Sequence, residues 1–219
     1  MGNDQIFHKK KKAEYSRNEN RRGKPRGYIL IVCEGEKTEP NYFNAFQSHE
    51  EKRSAKWILE VEGPGYNSDS LVREAKRLFK DKGLDKKSDV CWVVFDRDNV
   101  PKENFNRAFA LAARSDIRTA FSNEAFELWY LLHFNYYDTG MSRSQYSDKL
   151  CELLEEKYFK NSDKMYEKLL PRQGAAIKNA KKLMASRWEK DGRKSNAESD
   201  NPSTSVHLLV EELNKKLEK

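Results

Sequence analysis

The stretch Tyr28–Phe43, YILIVCEGEKTEPNYF, decides how the rest of the chain is read. Its first part, Tyr28 to Cys33, is an unbroken run of apolar and β-branched residues. The run is too short for a helix and too apolar for a strand with one wet face, so it predicts a central parallel strand covered on both sides. It stops abruptly at Glu34-Gly35-Glu36, after which Thr38-Glu39-Pro40 reads as a helix start. Thr38 suits a cap, Glu39 the positive end of the helix dipole, and Pro40 a first turn that needs no N–H there. Carboxylates thus stand where a buried strand emerges, the place at which open α/β sheets bind their ligands. A second apolar strand, VCWVVF from Val90 to Phe95, ends in the same way in Asp96-Arg97-Asp98. These two strand ends are expected to face each other and to hold a metal.

Outward from these strands the chain alternates. The helix after the first strand is expected from about Glu39 to Gln47. The strand Lys56–Glu62 alternates in polarity, which places it nearer a sheet edge, and Gly63-Pro64-Gly65 breaks it. Ser68 or Asp69 then caps a helix to about Lys80, with Leu71, Ala75, Leu78 and Phe79 on one face. Strand Asp89–Phe95 is followed by a helix from about Glu103 to Arg114, whose apolar side is Phe105, Ala108, Phe109 and Ala112. A short fourth strand, Ile117–Phe121, leads to Ser122-Asn123 as a helix cap. Four βα units in succession predict a parallel sheet with right-handed crossovers and helices on both faces.

The segment Glu124–Phe134 is apolar nearly all round, which predicts a buried helix in which Glu127 stands out; His133 at its foot reads as a core histidine. Beyond residue 140 only helices are expected, over Arg143–Lys157, Lys164–Leu170, Ala175–Lys190 and Ser203–Glu218, with Asp191–Asp200 a polar loop. Asn201-Pro202-Ser203 reads as the start of the last helix. The division is a basic arm over residues 1–26, an α/β domain over 27–138 and a helical C-terminal extension over 139–219.

The 219 residues can bury a sizeable core, and a net charge of +7 favours a polyanionic partner. Much of that charge is in the arm, which carries Lys9, Lys10, Lys11 and Lys12 together with Arg17, Arg21, Arg22, Lys24 and Arg26. The arm reads either as a solubilising tail or as a flexible segment that tracks phosphates and releases their counterions. No apolar run approaches the roughly 20 residues needed to span a bilayer. The first residues lack the apolar centre of a signal peptide, and Ile6 stands where a myristoylation motif needs Ser or Thr. A cytoplasmic protein is expected. Cys33, Cys91 and Cys151 form no C-x-x-C pair, which fits structural thiols in a reducing compartment.

Glu34 and the Asp96/Asp98 pair fit one chemical scheme. Mg²⁺ is a hard cation that binds through a few carboxylates, keeps several waters and lets phosphate oxygens complete its shell. In an Asp-x-Asp that leaves an extended strand, both carboxylates point to the same side and reach one ion or two neighbouring ones. Glu34, from the neighbouring strand, serves as a ligand or positions a general base. Such a site would activate water or a hydroxyl for attack on a phosphodiester. Gly35 would let the backbone approach a ligand closely.

Glu-Gly after strand one and Asp-x-Asp after strand three resemble the Toprim domain of topoisomerases, primases and OLD-family nucleases. The longer signature ILIVCEGEKTEPNYF, VFDRD, SNEAFELWYLLHF and NPSTSVHLLVEEL resembles the RloB-like family, to which the AbiLii abortive-infection proteins belong. The likeness runs from about residue 27 to 213. It implies a Toprim-like α/β fold with Glu34 as catalytic base or metal ligand and Asp96 and Asp98 as the metal pair, with Mg²⁺ or Mn²⁺ as cofactor. It adds Glu39 as a further acidic ligand, a role for which Glu36 competes, and Glu127 as a ligand or a support to one. Asn123 belongs to the same strand-four motif as Glu127. Lys37 and Arg97 are candidate phosphate contacts beside the basic arm. The implied function is metal-dependent cleavage of DNA, RNA or tRNA in bacterial phage defence, under control of an ABC/SMC-like ATPase. The chain has no G-x-x-x-x-G-K-[ST], so any ATP hydrolysis falls to the partner. Two other readings compete: a non-catalytic nucleic-acid-binding or partner-sensing subunit, and phosphoryl transfer on a small nucleotide. An oligomer is compatible with all three.

Overall fold

Alternate residues of a strand point to opposite faces of its sheet, and here that period sorts the buried side chains into two cores. The computed structural model describes residues 26–50, 57–97, 100–189 and 197–217. The arm through residue 25, with Lys9–Lys12, and Asp98 lie outside the described residues. The elements in chain order are β1 (Gly27–Cys33), α1 (Thr38–Glu50), β2 (Trp57–Glu62), α2 (Ser68–Asp81), β3 (Val90–Asp96), α3 (Lys102–Arg114) and β4 (Arg118–Asn123). There follow α4 (Glu127–Leu131), α5 (Arg143–Leu154), α6 (Met165–Leu169), α7 (Gln173–Glu189), β5 (Ser203–Thr204) and α8 (Val206–Leu217).

The sheet order is β2-β1-β3-β4-β5. The first four strands run parallel and β5 pairs antiparallel with β4. As the alternation of its residues suggests, β2 is at an edge. One face of the sheet presents Leu30, Val32, Cys91, Val93, Phe95 and Phe121 to Leu71 and Ala75 of α2 and to Phe105, Ala108 and Ala112 of α3. Edge-to-face contacts among Phe95, Phe105, Phe109 and Phe121 knit this side together. The other face presents Ile29, Ile31, Cys33, Trp92, Val94 and Ala120 to Tyr42, Phe43 and Phe46 of α1. The same core takes in Trp129, Tyr146, Tyr166, Leu183 and Leu213 from the later helices, so residues on both sides of position 138 share it. Helices therefore flank both faces. The three cysteines are free, with Cys33 and Cys91 buried in their strands as expected. Among the described residues, no helix is long and apolar enough to cross a membrane.

Four local expectations need correction. The cap of α2 is Asn67, whose side chain accepts a hydrogen bond from Ser70 N at 3.3 Å, while Ser68 and Asp69 already lie in the helix. Thr38 is the first residue of α1 and its hydroxyl donates to Lys160 O at 3.0 Å, so it ties down a distant loop instead of capping. Ser122 and Asn123 finish β4, and the apolar run after them forms only the five-residue α4 and loose turns. Ser203 and Thr204 form β5 instead of opening a helix, so the C-terminal part is not wholly helical. The outer edge of β4 explains this last difference, because its buried backbone groups need partners. Phe121 O accepts from Thr204 Oγ1 and Ser205 N, each at 2.9 Å, and Phe121 N donates to Ser205 Oγ at 3.0 Å.

Candidate active site

The parallel pairing of β1 with β3, in which Cys33 stands opposite Val94, brings the two acidic strand ends side by side. Glu34 N extends the ladder one step by donating to Val94 O at 2.8 Å, and Glu34 Oε2 accepts from Asp96 N at 3.0 Å. Asp96 is in phase with Trp92 and Val94, so its side chain leaves β3 on the face covered by α1, α4 and α5. There it meets the charged ends of those helices. Glu39 lies in the first turn of α1 and Glu127 opens α4; both are buried. Arg143 opens α5, with Nη2 3.5 Å from Asp96 Oδ2. Tyr158, in the loop after α5, donates from its hydroxyl to Glu127 Oε1 at 3.1 Å. Asp96 Oδ1 is buried and has no hydrogen-bond partner. A cavity of about 610 Å³ opens over these groups, with Lys37, Lys160 and Asn161 in its walls.

Crowded negative charge governs the electrostatics. Burial pushes the Asp96 carboxyl well above its ordinary range, and the charges of Glu39 and Glu127 push it further; Arg143 opposes them, and Glu34 adds to the rise. Burial likewise raises Glu39. Its own backbone hydrogen bond works against that, the charge of Glu127 adds to it, and Lys160 and Arg143 offset part of it. The Tyr158 hydroxyl is raised by burial and then by Glu127, which keeps it a donor.

Gly35 lines the same cavity, and its missing side chain also serves the protein's own packing. A Cβ at this position would overlap Glu39 Oε2, so the close approach that glycine permits is that of the protein's own carboxylate. Gly63 completes the packing behind it, since a Cβ there would lie 2.6 Å from Pro40 Cγ and 2.7 Å from Gly35 O.

Glu34, Glu39, Asp96, Glu127 and Lys37 thus line one cavity. Of the two competing glutamates, both line this cavity: Glu39 from a buried position facing the other carboxylates, Glu36 from an exposed position beside Gly65. Arg97 is placed elsewhere: its Nε donates to Glu198 O at 3.2 Å, its Nη1 donates to Val100 O, and the guanidinium lies 5.7 Å from the Phe105 ring. Asn123 donates to Ala197 O and Glu198 O at 3.1 and 3.2 Å, so it pins the segment that leads into β5. His133 is a neutral core histidine, pushed down to about 4 chiefly by burial, with Nδ1 2.8 Å from Trp129 O. Asp98 and Lys9–Lys12 lie outside the described residues.

Sequence reasoning missed Arg143, Tyr158, Lys160 and Asn161. Arg143 did leave a signal, because a cation in the first turn of a helix opposes the helix dipole and calls for an acidic partner. The other three sit in an irregular loop with no periodicity to read.

The donor set suits a hard divalent cation. It consists of carboxylate oxygens, one of them buried without a partner, and a bound cation would relieve their repulsion. In the arrangement described, Arg143 supplies that compensation. Among the described residues, no three His, Cys, Asp or Glu side chains are grouped so as to hold an ion.

A family model described as RloB-like protein matches residues 29–213, most of the chain. No curated protein and no solved structure matches it.

Proposed function

The chain belongs to the RloB-like family, and on that footing we propose that it is a Toprim-like, Mg²⁺-dependent phosphodiesterase acting on nucleic acid in bacterial phage defence. The observation that carries this reading is the convergence of Glu34, Glu39, Asp96 and Glu127 in one cavity at adjacent parallel strand ends, with Asp96 Oδ1 buried and unpartnered. Asp96 and Glu39 would hold the ion, with Asp98 and Glu127 completing the acidic set and Mn²⁺ as a substitute. When bound, the metal supplies Lewis-acid polarisation of the phosphodiester. Glu34, whose Oε2 accepts from the Asp96 N–H, would take the proton of the attacking water or hydroxyl. Tyr158 orients Glu127. Lys37 and Lys160 bind the phosphates that flank the scissile one, and Arg143 passes from Asp96 to phosphate when substrate enters. The basic arm with Lys9–Lys12 tracks the backbone of DNA, RNA or tRNA. An ABC/SMC-like ATPase is the expected partner and the cytoplasm the expected compartment.

The test is cleavage of labelled DNA and RNA with Mg²⁺ by the wild type, Asp96→Asn and Glu34→Gln. Each variant should lose on the order of 100-fold or more in rate, the usual scale for removing a general base or a metal ligand. The melting temperature of Asp96→Asn should not fall, because the substitution removes a crowded carboxylate. Undiminished cleavage by both variants would refute the assignment.

A second reading, a binding-only subunit, is favoured by the Arg143–Asp96 contact, which compensates the acidic group without a metal. That reading requires binding with a steep salt dependence that Mg²⁺ does not enhance.

A further inference from the structure

The large hydrophobic side chains most exposed among the described residues are Tyr66 at 46%, Phe159 at 61% and Leu208 at 48%. One exposed aromatic needs no explanation, since much of any protein surface is apolar. The placement of two of these three does. Tyr66 directly follows Gly65, and Phe159 directly precedes Lys160, and both Gly65 and Lys160 are walls of the carboxylate cavity. The two aromatics come from separate segments, the β2–α2 connection and the α5–α6 connection, and each is the chain neighbour of a residue that lines the same cavity.

The α5–α6 segment is fixed there by three hydrogen bonds. Tyr158, next to Phe159, donates to Glu127; Thr38 donates to Lys160 O; and Asn41 Nδ2 donates to Asn161 O at 2.9 Å. On the other segment, Gly65 has φ of +72° and packs its backbone against Glu36, an approach that a side chain would block. Cations accompany the rings: Lys37 and Lys160 are exposed in the cavity wall, and Lys157 Nζ lies 5.3 Å from the Phe159 ring centroid.

Exposed aromatic faces interleaved with cations are the means by which proteins hold unpaired nucleotides, with bases on the rings and phosphates on the ammonium groups. A duplex stacks its bases on one another and offers no free face to such rings. Resting on the nuclease reading above, we infer that the substrate is single-stranded nucleic acid, whose unpaired bases stack on Phe159 and Tyr66 while a phosphate lies over Asp96. Lys37, Lys157 and Lys160 meet the neighbouring phosphates.

The test is fluorescence anisotropy of the full-length Asp96→Asn protein with short labelled single strands of DNA and of RNA and with the matching duplexes. Binding is then read independently of cleavage. Single strands should bind at least about ten-fold more tightly than duplexes, with the DNA and RNA arms showing which sugar is preferred. Phe159→Ala and Tyr66→Ala, both at exposed positions and expected to melt like the parent, should each weaken binding by roughly 5- to 100-fold. Phe159→Trp should restore it, which lost structure would not. Equal affinity for duplex, or alanine variants that bind single strands like the parent, would overturn the inference. Single-strand binding that depends on Phe159, with no Mg²⁺-dependent cleavage by the wild type, would instead overturn the nuclease reading and leave the ligand class in place.

Discussion

Gly35 concentrates the logic of the site in a missing methyl group. The backbone at this position yields to the Glu39 carboxylate, and a Cβ would collide with Oε2. The colliding atom is the far end of a flexible side chain, so Gly35→Ala should displace that carboxylate without unfolding the protein. Under the proposed function, metal-dependent cleavage should fall by about 100-fold, the scale on which misplacement of about 1 Å acts, while the melting temperature shifts by no more than a few degrees. A variant that cleaves like the wild type would show that the Glu39 position does not matter. At this scale the sequence was informative where a strand's two-residue period fixed direction. Asp96 had to point where Trp92 and Val94 point, and Glu34 had to sit beside it once β1 and β3 were neighbours. Tyr158 and Lys160 escaped because their partners are far away in sequence, and no local pattern in a loop announces such a partner; Arg143 left only the signal of a cation in the first turn of a helix.

Among the elements, β5 departs furthest from what local chemistry suggests. Four strands were legible because each is an apolar or alternating run of six or seven residues. A two-residue strand has no period, and an Asn-Pro-Ser-Thr-Ser stretch is as good a helix start as a strand. Tertiary demand decided, since the edge of β4 needed donors and acceptors that Thr204 and Ser205 supply. Ser205→Ala should therefore leave the buried Phe121 N–H unpaired and cost about 1–3 kcal/mol. Ser205→Thr, which keeps the oxygen, should cost less. Urea midpoints at constant slope would measure both, and an Ser205→Ala midpoint equal to that of the wild type would contradict the role given to the hydroxyl. The short α4 was misjudged in length for a related reason: burial on all sides makes a segment apolar whether or not it continues as a helix.

Across the molecule, stability and pH are linked with opposite signs at two places. His133 is held at about 4 by burial, and the Arg172 charge adds to that, whereas in the unfolded chain it titrates near its ordinary value of 6.5. The unfolded state therefore takes up the proton first, so this contribution is present above pH 6.5 and is lost as pH falls toward 4. Asp96 and Glu39 are raised, so they favour the fold below their ordinary carboxyl range and disfavour it as pH climbs through their raised values. Comparison with His133→Asn, which keeps a donor for Trp129 O, separates the two effects. The stability difference between wild type and variant should shrink by about 2 kcal/mol between pH 6.5 and pH 5. A difference that stays constant over that range would mean that His133 protonates as easily in the fold as outside it.

The walls of the cavity also differ in the order in which they are made. Glu34 and Glu39 leave the ribosome early, with the first strand, while Arg143, Tyr158 and Lys160 follow only after the parallel sheet has been synthesised, and the strand that closes the edge of β4 comes later still. During translation the acidic strand ends therefore exist before the residues that compensate their charge. Under the proposed function, a nascent chain surrounded by ribosomal and messenger RNA carries an unfinished blade, and cutting has to wait until the α5–α6 segment has docked.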